Sequence, residues 1–215
     1  MTDVVIVGAG GHAKVVSDVL KLDPEANLLG FLDDRAELHG QKVLGLTVLE
    51  GLATWLSRSD TDDCAVVVAI GDNRTRENVA GEIRKAGRRF YTAVHPSAQI
   101  GSGVEIGEGC VLMANTAVNA ETVIGQHVII NTNASVDHNG VVEDYAHISP
   151  GASLAGTVTV GKGAHVGTGA SAVPGVVIGE WATLGAGTTA LRDVKPHTTV
   201  VGRPPMAIDK RGSSK

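Results

Sequence analysis

The pattern of hydrophobic and polar positions along the chain changes near residue 98. Before this point, three apolar runs rich in β-branched residues alternate with amphipathic segments; the runs occupy residues 3–8, 28–34 and 64–71. A glycine-rich turn at residues 8–11 opens one segment of helical periodicity, and a second covers residues 73–87. Strands that alternate with helices form a parallel sheet, so this part is predicted to be a small Rossmann-like α/β domain.

Beyond residue 98 an aliphatic side chain returns at every sixth position. Fourteen of the fifteen positions in this register are Ile, Val or Leu; the set is Ile100, Ile106, Leu112, Val118, Ile124, Ile130, Val136, Val142, Ile148, Leu154, Val160, Val166, Ala172, Ile178 and Leu184. Such a hexapeptide repeat predicts a left-handed parallel β-helix, with three repeats in each coil and the aliphatic residue pointing inward. The repeats predict about five coils. Glycine often follows the aliphatic residue, and we expect it to serve the corners.

These patterns divide the chain into an α/β domain (1–95), a β-helix domain (96–205) and a basic C-terminal tail (206–215). The whole chain has a net charge of −5, but from Ala190 onward six basic residues stand against two acidic ones. This basic end could meet an anionic ligand or simply be solvated.

Composition excludes several classes of protein. No apolar run reaches the ~18 residues that span a bilayer, and the start of the chain lacks the basic region of a signal peptide. Cys64 and Cys110 are too few for a disulfide framework, which favours a reducing cytoplasm. We expect neither a membrane nor a nucleic acid as partner.

The repeat also predicts which side chains are neighbours, because residues i and i+18 stack in successive coils. His138 is then flanked by Ala120 and Gly156, which leaves room for a ligand beside its imidazole. It lies in the most polar stretch of the repeats, residues 131–139, and is the candidate catalytic residue. His147 and His165 should also stack. No two histidines have the close spacing typical of zinc sites, so we expect no catalytic metal.

Several motifs together resemble a known family. They are Gly8–Val16, Phe31–Asp34, Ala69–Asn73, His95–Ala98, the hexapeptides and Val201–Pro205. The chain is similar to the bacterial nucleotide-sugar acyltransferases related to the bacillosamine-pathway N-acetyltransferase and the sialic-acid O-acetyltransferase. Within that family it most resembles the type that acts on GDP-perosamine. The resemblance implies a homotrimer that transfers acetyl from acetyl-CoA to the 4-amino group of a nucleotide-linked amino-deoxy sugar.

The resemblance also implies the site residues. The nucleotide sugar would bind at Gly10, Gly11, His12, Asp33, Asp34 and Gly71, and acetyl-CoA would contact His147, Thr168 and Ala186. A glycine-rich helix N-terminus does suit a pyrophosphate, and a carboxylate at a strand end suits ribose or base donors. The catalytic position falls on His138.

Asn139 departs from the family pattern, which often has a carboxylate directly after the catalytic histidine. Either Asp137 or Glu143 replaces that carboxylate, or the chain is a variant with weakened catalysis. If His138 lacks such a partner, Asn139→Asp should raise its basicity.

The implied reaction is direct attack of the amine on the thioester, without a covalent intermediate, since neither cysteine has an activating neighbour. His138 would accept the amine proton, or only orient an amine that binds neutral. Three alternatives stay open. They are O-acetylation of a sialic acid or related sugar, a non-catalytic assembly subunit, and a nicotinamide oxidoreductase suggested by Gly8-x-Gly10-x-x-Ala13 with Asp33. The last is disfavoured because the α/β part is about half a dinucleotide domain.

Overall fold

The computed structural model describes residues 1–61 and 63–202. The end of the closing motif (203–205) and the basic tail (206–215) lie outside these residues.

The first part of the chain forms a parallel four-stranded sheet with helices. In chain order its elements are β1 (Thr2–Val7), α1 (Gly11–Lys21), β2 (Ala26–Leu32), β3 (Lys42–Val43), β4 (Leu46–Thr47), α2 (Leu52–Leu56), β5 (Ala65–Val68), α3 (Asn73–Lys85) and β6 (Arg89–Phe90). Short 3₁₀ turns cover Ala36–Leu38 and Ser59–Thr61. The sheet order is β2-β1-β5-β6, and β3 and β4 form a separate hairpin. The Rossmann-like prediction is confirmed; the hairpin, α2 and β6 had no clear sequence signal.

The rest of the described chain is a parallel β-helix with three flat sheets, which we call the prism. Its two-residue strands are β7 (Ala93–Val94), β8 (Gln99–Ile100), β9 (Glu105–Ile106), β10 (Val111–Leu112), β11 (Ala117–Val118), β12 (Val123–Ile124), β13 (Ile129–Ile130), β14 (Ser135–Val136), β15 (Val141–Val142), β16 (His147–Ile148), β17 (Ser153–Leu154), β18 (Thr159–Val160), β19 (His165–Val166), β20 (Ser171–Ala172), β21 (Val177–Ile178), β22 (Thr183–Leu184), β23 (Thr189–Ala190) and β24 (Thr199–Val200).

The strands stack into sheets of seven (β24-β22-β19-β16-β13-β10-β7), six (β23-β20-β17-β14-β11-β8) and five (β21-β18-β15-β12-β9) members. The prism therefore has about six coils, one more than predicted. Pairing begins at Ala93 in β7, three residues before the expected start at 96, and Val94 continues the register one repeat ahead of Ile100. Pairing ends at β24, after Pro196 has broken the repeat.

The predicted aliphatic positions build the core of the prism. From Leu112 to Leu184 they are buried in one continuous cluster, and each pairs with the residue one coil away, as Val136 does with Val118 and Leu154. Ile100, in the first coil, is 41% exposed. Stacking at i and i+18 is thus confirmed.

Glycine has two different roles in the coil. The corner itself is a residue of positive φ, such as Gly109 at 70°. Gly107, directly after the aliphatic position, lacks a positive φ; a Cβ there would lie 2.6 Å from the carbonyl oxygen of Gly125 in the next coil. The glycines that directly follow the aliphatic residue are therefore needed because successive coils approach closely there. They are not the corner residues that we expected, since the corner lies two residues later.

The N-terminal domain lies on the seven-stranded sheet. Ala13 and Val16 of α1 share a buried cluster with Val111 and Met113 of the prism. In the part of the chain that the structure describes, no helix has the length and hydrophobicity needed to cross a bilayer.

Candidate active site

A pocket opens at the carboxyl ends of β1, β2 and β5. Its volume is about 260 Å³, and its lining combines Asp33, Asp34 and Arg35 with the apolar side chains of Leu32, Leu52, Ile70 and Val79. This edge is where open parallel sheets bind ligands.

Both carboxylates of this pocket have partners. Asp33 accepts from the backbone N–H of Ala9 at 2.9 Å and takes two bonds from the Arg35 guanidinium at 2.8 Å. The bonds from Arg35 are the main reason that the pKa of Asp33 falls to about 2. Asp34 accepts from the N–H of Leu52, at the start of α2. Asp33 therefore fixes the turn after β1 and holds the cation of Arg35 at the pocket.

The predicted glycine-rich turn forms the N-terminus of α1. Gly10 is the N-cap and no side chain caps it, so backbone N–H groups at this end are available to an anion. A side chain added at Gly10 or Gly11 would meet open space. The next residue, His12, is half-buried, and burial and then the charge of Arg76 lower its pKa to about 4. Its Nε2 is buried and has no hydrogen-bond partner among the described residues.

His147 lies against His12, across the junction of the two domains. Their ring centroids are 6.3 Å apart, and on the other side His165 stacks on His147 at 5.0 Å. His147 is only 9% exposed, and burial, then His165, Arg76 and His12, lower its pKa to about 3. It is a neutral imidazole at physiological pH. The stack of His147 and His165 is confirmed.

A cleft of about 480 Å³ runs beside this stack. Gly71, His147 and His165 line it, together with Asn73, Arg74 and Trp181. The guanidinium of Arg74 lies 3.3 Å from the Trp181 ring centroid, a close cation–π contact. The structure therefore brings together His12 and Gly71, expected at the nucleotide sugar, and His147, expected at acetyl-CoA.

Arg76, which the sequence did not single out, joins the two domains. It is 1% exposed, and it donates to the backbone carbonyls of His127, Ile70, Gly71, Tyr145 and Ala146 and to the side-chain oxygen of Asn73. Asn73 in turn donates to Gly163 and Ala164. These bonds replace the lost hydration of a buried cation, and burial lowers the pKa of Arg76 to about 10. The only sequence signal was the helical spacing of Asn73 and Arg76 on one face of α3.

His138 is exposed on the corner between the six- and five-stranded sheets. Its ring occupies the space that a side chain at position 156 would take: a Cβ on Gly156 would lie 2.6 Å from its Nε2. The predicted flanking of His138 by small residues is confirmed. Its Nδ1 is 2.9 Å from the side-chain oxygen of Asn139, and the amide nitrogen of Asn139 donates to Glu121 at 2.7 Å.

Neither carboxylate proposed as a replacement for the family's acidic residue contacts this ring. Asp137 accepts from the backbone N–H of His138 and from Asn119. Glu143 accepts from the backbone N–H of Lys162. Of the two alternatives, replacement of the family's carboxylate by Asp137 or Glu143 is therefore not what the structure shows, because both carboxylates bond to other groups.

Thr168 and Ala186 lie on a third part of the prism. Both are exposed, they are stacked on the corner between the seven- and six-stranded sheets, and Thr168 accepts from the N–H of Gly187. His138 is on the corner opposite the seven-stranded sheet, on which the N-terminal domain lies. Among the described residues no hydrogen bond or ring contact joins His138 to the N-terminal domain. A single chain therefore keeps the two predicted halves of the site apart.

Comparison with known proteins matches both parts of the chain. Residues 3–83 match the family model described as PglD N-terminal domain. The chain is 38% identical over 114 residues to UDP-N-acetylbacillosamine N-acetyltransferase of Bacillus subtilis, a match that covers 53% of this chain and 52% of the relative. The chain thus matches about half the length of this curated relative.

Two of the solved structures that match nearly the full length hold CoA or acetyl coenzyme A. One is a histidine-to-asparagine variant of perosamine N-acetyltransferase from Caulobacter crescentus in complex with CoA and GDP-perosamine, with 37% identity, a TM-score of 0.88 and 94% of both chains covered. The other is the acetyltransferase domain of PglB from Neisseria gonorrhoeae FA1090 in complex with acetyl coenzyme A, with 33% identity, a TM-score of 0.88 and 96% and 98% covered.

A hexapeptide prism joined to a Rossmann-like domain is the fold that this chain shares with these two acetyltransferases, and it places the chain among the β-helix acyltransferases. More narrowly, the chain belongs to the family of bacterial acetyltransferases that includes the Caulobacter perosamine N-acetyltransferase and the Neisseria PglB domain.

Proposed function

We propose that this protein transfers the acetyl group of acetyl-CoA to the 4-amino group of a nucleotide-linked amino-deoxy sugar, with GDP-perosamine as the first candidate. The relatives support this: one is crystallised with CoA and GDP-perosamine, another with acetyl coenzyme A. The observation that carries the proposal is the exposed imidazole of His138, whose Nδ1 is bonded to Asn139.

The nucleotide sugar is bound by the N-terminal domain. The pyrophosphate lies at the N-terminus of α1, where Gly10 and Gly11 let an anion approach the backbone N–H groups. The nucleoside fits the pocket beside Asp33 and Asp34, and Arg35 adds a cation at its mouth. Gly71 and His12 also contact the nucleotide sugar.

His138 acts as the general base. The amine nitrogen attacks the thioester carbonyl carbon, the C–N bond forms, and the C–S bond breaks to release CoA. The amine proton passes to Nε2 of His138 and then to the departing thiolate. Such proton transfer contributes on the order of 10²–10⁴-fold, and holding the two substrates together contributes further.

The complete site is shared between two subunits of a homotrimer. Support comes from the separation of His138 from the N-terminal domain within one chain. Thr168 and Ala186, on the corner between the seven- and six-stranded sheets, contact acetyl-CoA together with His147. Light scattering should give three times the chain mass of 22.0 kDa; a 22.0 kDa particle at micromolar concentration would contradict the shared site.

The proposal extends to a cytoplasmic location and to the supply of sugars for lipopolysaccharide O-antigen. Two buried free cysteines, Cys64 and Cys110, support a reducing compartment.

A thiol-release assay tests the reaction. The protein is given acetyl-CoA and a panel of nucleotide-linked 4-amino sugars, with the matching 4-hydroxy sugars and a sialic acid as controls. Release of CoA with the amino sugars alone supports N-acetylation. Release only with the hydroxy sugars or the sialic acid would show O-acetylation, and release with none would contradict an enzymatic role.

A further inference from the structure

A polar chain of three side chains crosses two coils at the His138 corner. Nδ1 of His138 is 2.9 Å from the side-chain oxygen of Asn139, and the Asn139 amide nitrogen is 2.7 Å from Oε2 of Glu121. The structure assigns to Glu121 the role of a positioning residue, which fixes the protonation pattern of His138 through Asn139. This inference rests on the proposed role of His138 as the base.

The direction of each hydrogen bond follows from Glu121. An ionised carboxylate only accepts hydrogen bonds, so the NH₂ group of Asn139 must face Glu121 and donate to it. The amide oxygen of Asn139 then faces His138, and Nδ1 must carry the proton that it donates to this oxygen. Nε2 is left with a free lone pair. A glutamine at position 121 can donate as well as accept, so the Asn139 amide is then free to rotate and present its NH₂ group to Nδ1, which puts the imidazole proton on Nε2.

The coil geometry brings Glu121 to this place. Glu121 and Asn139 are the corner residues of successive coils, with left-handed φ values of 59° and 55°. The N–H of Asn139 bonds to the carbonyl of Ala120 at 2.9 Å, so the two corners are in register. Side chains one coil apart also meet elsewhere in the prism, as Asn119 does with Asp137 at 2.8 Å.

The other charged group at the corner is Asp137, and it is engaged elsewhere. Its carboxylate accepts hydrogen bonds from the backbone N–H of His138 and from the side-chain amide of Asn119. These bonds lower the pKa of Asp137, and the bond from Asn119 has the largest effect. Asp137 hydrogen-bonds the backbone of His138, and it interacts with the ring through charge alone. Glu121 is the carboxylate connected to the imidazole.

The relay changes the expected effect of Asn139→Asp. A carboxylate at position 139 would lie where an amide now donates to Glu121 at 2.7 Å, so two anions would face each other. Close carboxylates of this kind share a proton. Asn139→Asp alone is therefore expected to weaken catalysis, whereas Asn139→Asp combined with Glu121→Gln places one carboxylate directly on Nδ1.

Nitrogen-15 NMR of histidine-labelled protein tests the inference without any measurement of activity. At pH 8 the His138 signal, assigned by its loss in His138→Gln, should show the Nδ1–H tautomer in the parent. In Glu121→Gln it should shift toward the Nε2–H tautomer that free histidine prefers. The matched control is Glu105→Gln, an exposed glutamate of the preceding coil, which should leave the signal unchanged. An Nε2–H tautomer in the parent, or no shift in Glu121→Gln, would overturn the assignment.

Kinetics give the second readout. Glu121→Gln should lower kcat about tenfold with little change in either KM, because the substrate contacts remain. Asn139→Asp/Glu121→Gln should recover most of kcat and move the acidic limb of the pH–kcat profile to higher pH. Equal kcat in Glu121→Gln and Glu105→Gln, or no recovery in the double variant, would contradict the relay. If the unmodified protein shows the expected tautomer but has no acetyltransferase activity, the proposed function is contradicted and the assignment of Glu121 is not.

Discussion

Two histidines of the prism show how differently the same side chain is used in two regions. His138 is exposed on a free corner, and Asn139 and Glu121 support its ring. His147 is buried where the N-terminal domain lies on the seven-stranded sheet, stacked on His165 and facing His12. Burial lowers the pKa of His147 to about 3, so it keeps one charge state through the physiological range.

The comparison teaches that the surroundings, and not the residue type, assign the chemistry. A general base must reach its substrate and change its protonation state during the reaction, and the His138 corner allows both. At the His147 face, burial disfavours a charged imidazole. Its histidines instead present fixed, neutral hydrogen-bonding surfaces at the edge of the 480 Å³ cleft.

The largest expected effect is that of His138→Ala. Loss of the base should lower kcat by about 10²-fold or more, while the KM for acetyl-CoA changes little. His197→Ala, which removes another exposed histidine of the prism, is the control and should be neutral. If His138→Ala stays within about threefold of the parent across the pH range, catalysis rests on positioning alone, with the amine arriving neutral.

Gly11→Asp should act on the opposite region. The new carboxylate would stand in open space at the N-terminus of α1, where it repels a pyrophosphate without disturbing the fold. We expect the KM for the nucleotide sugar to rise about tenfold or more, with acetyl-CoA binding nearly unchanged. Gly11→Asn has the same size without the charge. An equal loss in both variants would show that size, and not anion binding, is disturbed.

His147→Gln should have a smaller effect, of a different kind. Since His147 is neutral and does not exchange protons, its replacement should raise KM several-fold while kcat and its pH profile stay close to those of the parent. Steady-state kinetics against both substrates measure this. A kcat loss as large as that of His138→Ala would remove the distinction between the two regions.

The buried histidines also predict a pH dependence of stability. Burial lowers the pKa of His12 and His127 to about 4 and that of His147 to about 3, from an ordinary value of 6.5. Below pH 6.5 these histidines are protonated in the unfolded chain but stay neutral in the folded chain. The free energy of unfolding therefore falls as the pH is lowered toward 4. The loss is at most about 1.4 kcal/mol per pH unit for each histidine.

Thermal unfolding between pH 5 and pH 8 measures this dependence. Tm should be constant above about pH 7 and fall below pH 6.5, the ordinary histidine value. His147→Gln should flatten the fall, and His197→Gln should not. A parent whose Tm rises on acidification would contradict the neutral, buried state of these residues.

The repeat was the part of the fold that the sequence predicted best. One aliphatic residue in six sets the register, and the register alone places His138 over Gly156 and His147 under His165. The ends were predicted less well. Val94 continues the regular spacing but precedes the first position assigned to the repeat, and Thr199–Val200 pair as a strand outside that spacing. A strand at the end of a prism needs only a partner, not the hexapeptide pattern.

The sequence analysis did not find Glu121 as the carboxylate connected to His138, for a related reason. Asp137 and Glu143 are near it in sequence, and Glu121 is near it in space. Because Glu121 precedes Asn139 by one coil, the same i and i+18 rule could have found it. Arg76 could not be found this way. An arginine on an amphipathic helix is normally exposed, and its burial follows only from the carbonyls that the prism presents to α3.

Subunit complementation tests the central claim that the His138 corner of one subunit serves the N-terminal domain of another. His138→Ala and Gly11→Asp chains are co-expressed with different tags, and trimers that carry both tags are purified. In a cyclic trimer of either mixed composition, one of the three shared sites combines an intact His138 with an intact helix N-terminus. At nucleotide-sugar concentrations well below the KM of the unmodified protein, where Gly11→Asp alone has about a tenth of the activity, the account predicts about one third of parental activity, above either variant alone. Mixed trimers no more active than the trimers of either single variant would show that each site lies within one chain, and would contradict the account.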